Sequence, residues 1–235
     1  MKSNKVQLKN RGYIDDNELK QYNYLTKLQL IKLLQSDIAT DRTIAARLLV
    51  RYKEFGVIEV LICSLINETK LYTKIALSEC IGTYGEKASE MLIEHLGKVG
   101  NNQHRSLPSR PFEKKNYPLP RDIIARTMCK IGKPALNQLR CCLYSGEYIQ
   151  ILEAIDAIGF ISYYEKDTTS LEDIIQLFTK YKDDTLVIWK LLRSLQSFKD
   201  ERVQKLLKIH TASSIEQHRW EAKRSLEQIN RQITL

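Results

Sequence analysis

From about residue 18 onward, apolar side chains return at every third or fourth position, the spacing that lines one face of an α-helix. The last such run is Ile215, Ala222, Leu226, Ile229 and Ile233. No segment alternates apolar and polar residues as a half-buried strand would. The pattern predicts twelve helices in six pairs: 18–36 with 41–55, 57–67 with 70–84, 86–97 with 120–131, 134–144 with 147–161, 170–182 with 185–198, and 201–209 with 214–232. Residues 1–17 carry no such stripe and read as a basic, partly disordered tail.

Three segments align without gaps: ECIGTYG at 79–85, RTMCKIG at 126–132 and EAIDAIG at 153–159. The first two continue alike, with Ala three residues after the glycine and Leu seven and eleven after it (Leu92 and Leu96, Leu139 and Leu143). The motif reads as a helix closed by a glycine at positive φ, a short turn, and a small residue that lets the next helix pack closely. A helix hairpin of this kind cannot bury its stripe alone, so neighbours must stack. The motifs resemble the short HEAT repeats of phycobilin-lyase-like proteins. The resemblance implies an all-α fold, a right-handed α-α superhelix running as a single solenoid over 18–235.

The period breaks once strongly. Gly56 and Gly85 lie 29 residues apart and Gly132 and Gly159 lie 27 apart, but Gly85 and Gly132 are separated by 47. The excess is a loop at 101–120 that holds four of the five prolines and four Lys or Arg side chains against one Glu. Proline excludes helix there, and the reading is an extended, exposed insertion that becomes ordered on binding. A second, gentler break falls at 164–169.

Charge and chemistry narrow the function. Lys and Arg outnumber Asp and Glu by 37 to 28, a net charge of +9 that favours an acidic partner. The five cysteines have no CxxC spacing. Cys63, Cys80 and Cys129 read as buried thiols of a cytoplasmic protein. No run is long and apolar enough to span a membrane, and no phosphate loop, GxSxG or HExxH is present. The lone Glu94-His95 pair and the scattered cysteines supply no complete ligand set, so no metal and no cofactor are expected, and the chain reads as a non-enzyme.

Extending the aligned glutamate position to the weaker repeats gives the column Val50, Glu79, Arg126, Glu153, Arg193 and Arg224. Its three arginines point away from their apolar neighbours, and the resemblance implies that second helices line the concave side of the stack. Arg126, Lys130, Arg193 and Arg224 are therefore candidates for a basic groove, with Arg47 and Arg51 extending it, and with Arg105 and Arg110 from the loop. Trp220 lies opposite the apolar run of the last helix and reads as an exposed binding residue. The expected function is a scaffold holding an acidic protein or peptide. A nucleic-acid-binding protein related to the HEAT-like alkylpurine DNA glycosylases is the alternative, and chromophore handling a third reading.

Overall fold

The computed structural model describes residues 4–233, and every regular element among them is helical. The chain packs as two compact units, Met1–Leu92 and Ile93–Leu235.

The first unit contains α1 (Lys5–Asn10), α2 (Asp16–Lys20), α3 (Lys27–Leu33), α4 (Ala39–Leu49), α5 (Phe55–Asn67), α6 (Leu71–Gly82) and α7 (Glu86–Leu92). Helix α4 packs on α3 and α6, and α5 packs on α6, over a core of Leu30, Ile44, Leu49, Ile58, Leu61, Leu65, Leu77 and Ile81. The helix expected over 18–36 is two helices. Thr26 and Gln29 form a capping box that starts α3 afresh after a turn closed by Leu25 N–H on the Tyr22 carbonyl. Residues assigned to a tail are also organised. Asn4 and Gln7 cap α1, and the backbone at Gly12 (φ 87°) lies where a Cβ would strike the Thr73 and Thr43 hydroxyls. Tyr72 N–H donates to the Arg11 carbonyl at 3.0 Å, and Tyr13 packs edge-on against Tyr72. Met1, Lys2 and Ser3 lie outside the described residues.

The second unit contains α8 (Ile123–Ile131), α9 (Leu136–Ser145), α10 (Tyr148–Glu165), α11 (Leu171–Lys180), α12 (Thr185–Ser194), α13 (Glu201–His210) and α14 (Glu216–Ile233). Three hairpins, α9 with α10, α11 with α12 and α13 with α14, bury their facing stripes. The second helices also touch in sequence, α8 on α10, α10 on α12 and α12 on α14, so they form one row. Gly132 (φ 77°) ends α8, and Gly85 (φ 64°) stands at the corresponding place before α7. The third aligned glycine differs: Gly159 lies inside α10, which runs on to a left-handed cap at Lys166. Alignment alone cannot separate the two uses of glycine, a turn and a close approach.

All five cysteines are free. Cys80 and Cys142 are buried and Cys129 half-buried, but Cys63, expected in the core, is exposed, as is Cys141. Cys63 follows Leu61 and Ile62 on the rim of the α5 stripe, where one step of the helix turns a side chain from core to solvent.

Candidate functional site beneath the inserted loop

Residues 101–122 form no regular element, as their prolines require, yet the loop is not free of the helices. It lies across the row of α8, α10, α12 and α14. Gln103, Tyr117 and Pro120 are buried, and His104, Phe112 and Pro118 are half-buried. The expectation of an exposed insertion is corrected by these anchors, which offer apolar surface that composition averages away. Tyr117, 2% exposed, packs on Phe160 and Tyr163. His104 meets Trp189 edge-on at 5.0 Å, and Phe112 lies under the guanidinium groups of Arg224 (4.9 Å) and Arg193 (5.9 Å).

Polar contacts hold both ends and the middle. At the entry, Gln103 donates to the Asp122 carboxylate and the Val99 carbonyl, both at 2.9 Å, and Asp122 in turn caps α8 through Ala125 N–H. At the exit, Arg126 Nε donates to the Pro120 carbonyl at 2.5 Å. Between them Arg224 donates to the carbonyls of Lys114 (3.4 Å) and Asn116 (3.1 Å), and Gln217 to that of Pro108 (3.4 Å). The Gln228 amide, with its nitrogen turned to the loop, donates to the Lys115 carbonyl.

Under the loop lies a buried charge network. Lys190 is fully buried, and its ammonium donates to Glu153 Oε1 (2.9 Å), Asp156 Oδ2 (2.7 Å) and the Leu152 carbonyl (3.0 Å), which uses all three protons. Arg193 stacks on Trp189 at 4.0 Å and pairs with Glu221 at 3.3 Å. Glu221 also accepts from Arg224 at 2.8 Å, and Gln196 accepts from the same guanidinium at 3.2 Å. Burial pushes the Glu153 carboxyl up to about 7 against the pull of Lys190. Burial also acts on Asp156, but Lys190 and Arg193 together outweigh it and hold that carboxyl below its ordinary value. The two carboxyls are thus driven apart, Glu153 towards its protonated form and Asp156 towards its charged one.

The seam between loop and row is under-satisfied. Gln103 Oε1, His104 Nδ1, Tyr117 Oη, Glu153 Oε2, Asp156 Oδ1, Arg193 Nε and Arg224 Nε are sealed with no hydrogen-bond partner among the described residues. A buried polar atom left unmade costs about 1–3 kcal/mol, so loop closure works against a penalty concentrated at its own boundary. A cavity of about 270 Å³ remains there, lined by His104, Phe112, Pro120, Arg121, Asp156 and Arg193 among others.

His104 makes this closure sensitive to acid. Burial lowers its imidazole to about 4, with Lys190, Arg193 and Arg121 adding to the effect and Asp156 opposing it. A histidine held neutral contributes stability that is present above its unfolded value of about 6.5 and lost as pH falls towards 4. Tryptic cleavage after Lys114 or Lys115, normalised to the free loop peptide at each pH, should therefore accelerate between pH 7 and 5. His104→Phe keeps a ring against Trp189 and cannot take the proton, so its cleavage should stay flat. The same acceleration in His104→Phe would assign the effect elsewhere.

Arg126, Arg193 and Arg224 thus sit along one row, and all three contact the loop. They do not form an open groove. Arg193 and Arg224 are 5% and 9% exposed because the loop and Glu221 cover them, which corrects the expectation that they face solvent. Lys130 is exposed at the end of α8. Arg105 and Arg110 are exposed, and Arg110 also lines the cavity at the seam. Trp220 is half-buried, not exposed, on the α14 side that carries the buried Arg224. Arg47 and Arg51 belong to the first unit and hold its chain turns: Arg47 donates to the Ile14 carbonyl and to Asp16 (2.5 Å), and Arg51 to the carbonyls of Leu48 and Asn23. Helix periodicity missed Lys190, Phe112 and Tyr117 as site residues. A cation inside the apolar run LVIWKLL, and two rings each beside a proline, were the signals that pointed to them. Among the described residues no His, Cys, Asp or Glu cluster is placed to hold a metal ion, and no helix is long and apolar enough to cross a membrane. No protein-family model matches the chain, and no curated protein is similar to it.

Proposed function

We propose that the chain is a HEAT-type, right-handed solenoid of the short phycobilin-lyase-like kind, acting as a non-enzymatic scaffold that holds an acidic protein segment. The observation that carries this reading is the set of exposed cations on and beside the strapped loop. Arg105, Arg110, Lys114, Lys115 and the adjoining Arg121 are all exposed, and none is ion-paired with another described residue. Glu113 is the single acid among residues 101–121. Because the inner side of the loop is fastened, these cations stand on a supported frame, which lowers the ordering entropy that binding must overcome. A short cationic loop suits an acidic segment better than a nucleic-acid duplex, since Arg193 and Arg224, which would extend it into a phosphate track, are covered and neutralised by Glu221 and Asp156. Five free thiols, two of them exposed, fit a reducing compartment such as the cytoplasm.

The test compares a fluorescein-labelled Glu-rich peptide with a labelled DNA duplex across a salt series. The peptide should bind, and the variant with Arg105→Glu, Arg110→Glu, Lys114→Glu and Lys115→Glu should bind it ~10-fold more weakly or worse. Duplex binding that is tighter than peptide binding and falls steeply with salt would replace this reading with the nucleic-acid one.

A further inference from the structure

The loop is held in the way a bound peptide is held. Side chains of the row reach the carbonyls of Pro108, Lys114, Lys115, Asn116, Tyr117 and Pro120, through Gln217, Arg224, Gln228, Tyr164 and Arg126. Contacts to carbonyls are blind to sequence, and they fix an extended chain in direction and register. Selectivity comes from two rings. Phe112 fills the space beneath Arg193 and Arg224, and Tyr117 enters a slot floored by Gly159, where a Cβ would stand 1.9 Å from its hydroxyl. The loop contributes no helix or strand of its own, and its closure seals polar atoms on both sides without partners. An occupant so held is displaceable.

We infer that the exposed side of α8, α10, α12 and α14 is a peptide-binding groove occupied in cis by residues 108–120, and that its ligand in trans is an extended, proline-flanked protein segment with two aromatic residues five positions apart. This surface lies under the loop, whereas Arg105, Lys114 and Lys115 are exposed on the loop itself. The row would grip such a segment by its carbonyls and rings whatever its charge. A tethered loop competes at an effective concentration of about millimolar, so the intact chain binds a free segment weakly until its own loop is released.

The experiment uses the full chain carrying Phe112→Ala and Tyr117→Ala, and a labelled peptide with the sequence of residues 109–120. Fluorescence anisotropy should show the peptide binding this variant at least ~10-fold more tightly than it binds the natural chain. A peptide with alanine at both ring positions should not bind. Should the double variant fail to fold by circular dichroism, Phe112→Ala alone, which removes a half-buried anchor, is read in the same way. No binding to a folded variant, or equal binding of the alanine peptide, overturns the inference. The Glu-rich peptide serves as a control: if it competes with the 109–120 peptide, the two surfaces are one and the inference also fails.

Discussion

Lys190→Met is expected to lower the stability of the second unit by about 3–5 kcal/mol, because it leaves buried carboxylates without their cation. Glu153 and Asp156 are 0% and 3% exposed, and each already has one oxygen without a partner. Removing the ammonium takes away the hydrogen bonds at 2.9 and 2.7 Å that satisfy the others. Methionine nearly fills the lysine volume, so the loss reports charge more than a cavity. Urea denaturation at pH 8 should show a lower midpoint at unchanged slope. The deficit should shrink on acidification. Lys190 opposes the upward push of burial on the Glu153 carboxyl, so without Lys190 that carboxyl protonates at a higher pH than in the natural chain, and once it is protonated in both proteins its share of the deficit is gone. Adding Glu153→Gln and Asp156→Asn to Lys190→Met should recover part of the loss at pH 8. A Lys190→Met protein as stable as the natural chain would mean that the network is not closed to water.

The hairpins were legible because their cause is local. An amphipathic period is written within each 30-residue stretch, with a glycine stop at Gly85 and Gly132, and the helices over 55–67, 185–194 and 201–210 fall within a few residues of the pattern. The site was less legible because its cause is distant. Lys190 reads as a stray cation in an apolar helix until Glu153 and Asp156, some 35 residues earlier, are brought opposite it. The outward direction of Arg193 and Arg224 follows from helix geometry, but what covers them is a loop more than 70 residues upstream. Proline content correctly excludes helix from that loop and says nothing of where its rings go. Phe112 and Tyr117 bury themselves in slots supplied by other elements, with no periodicity to mark them.

Gly159→Ala offers a test of the closed loop. Alanine in the interior of a helix such as α10 is worth up to about 1 kcal/mol over glycine, and nothing in the backbone at this position requires glycine. The new Cβ would nevertheless stand 1.9 Å from the Tyr117 hydroxyl oxygen and 2.7 Å from its Cζ, with Ser194 Cβ at 3.0 Å. Tyr117 cannot swing aside, since Phe160 and Tyr163 hem its ring, so the chain either strains or lifts the loop. Overpacking of this kind costs about 1–3 kcal/mol, which outweighs the helix gain, and Gly159→Ala should lower stability while exposing Lys114 and Lys115 to trypsin. In a Tyr117→Ala background the collision is gone. The same substitution should there be neutral or stabilising, less a few tenths of a kcal/mol for the Ser194 contact, so the double-mutant cycle should show coupling of about 1–3 kcal/mol. Equal effects of Gly159→Ala in both backgrounds would mean that Tyr117 does not occupy the slot over α10, and the loop would then have to be placed away from the row.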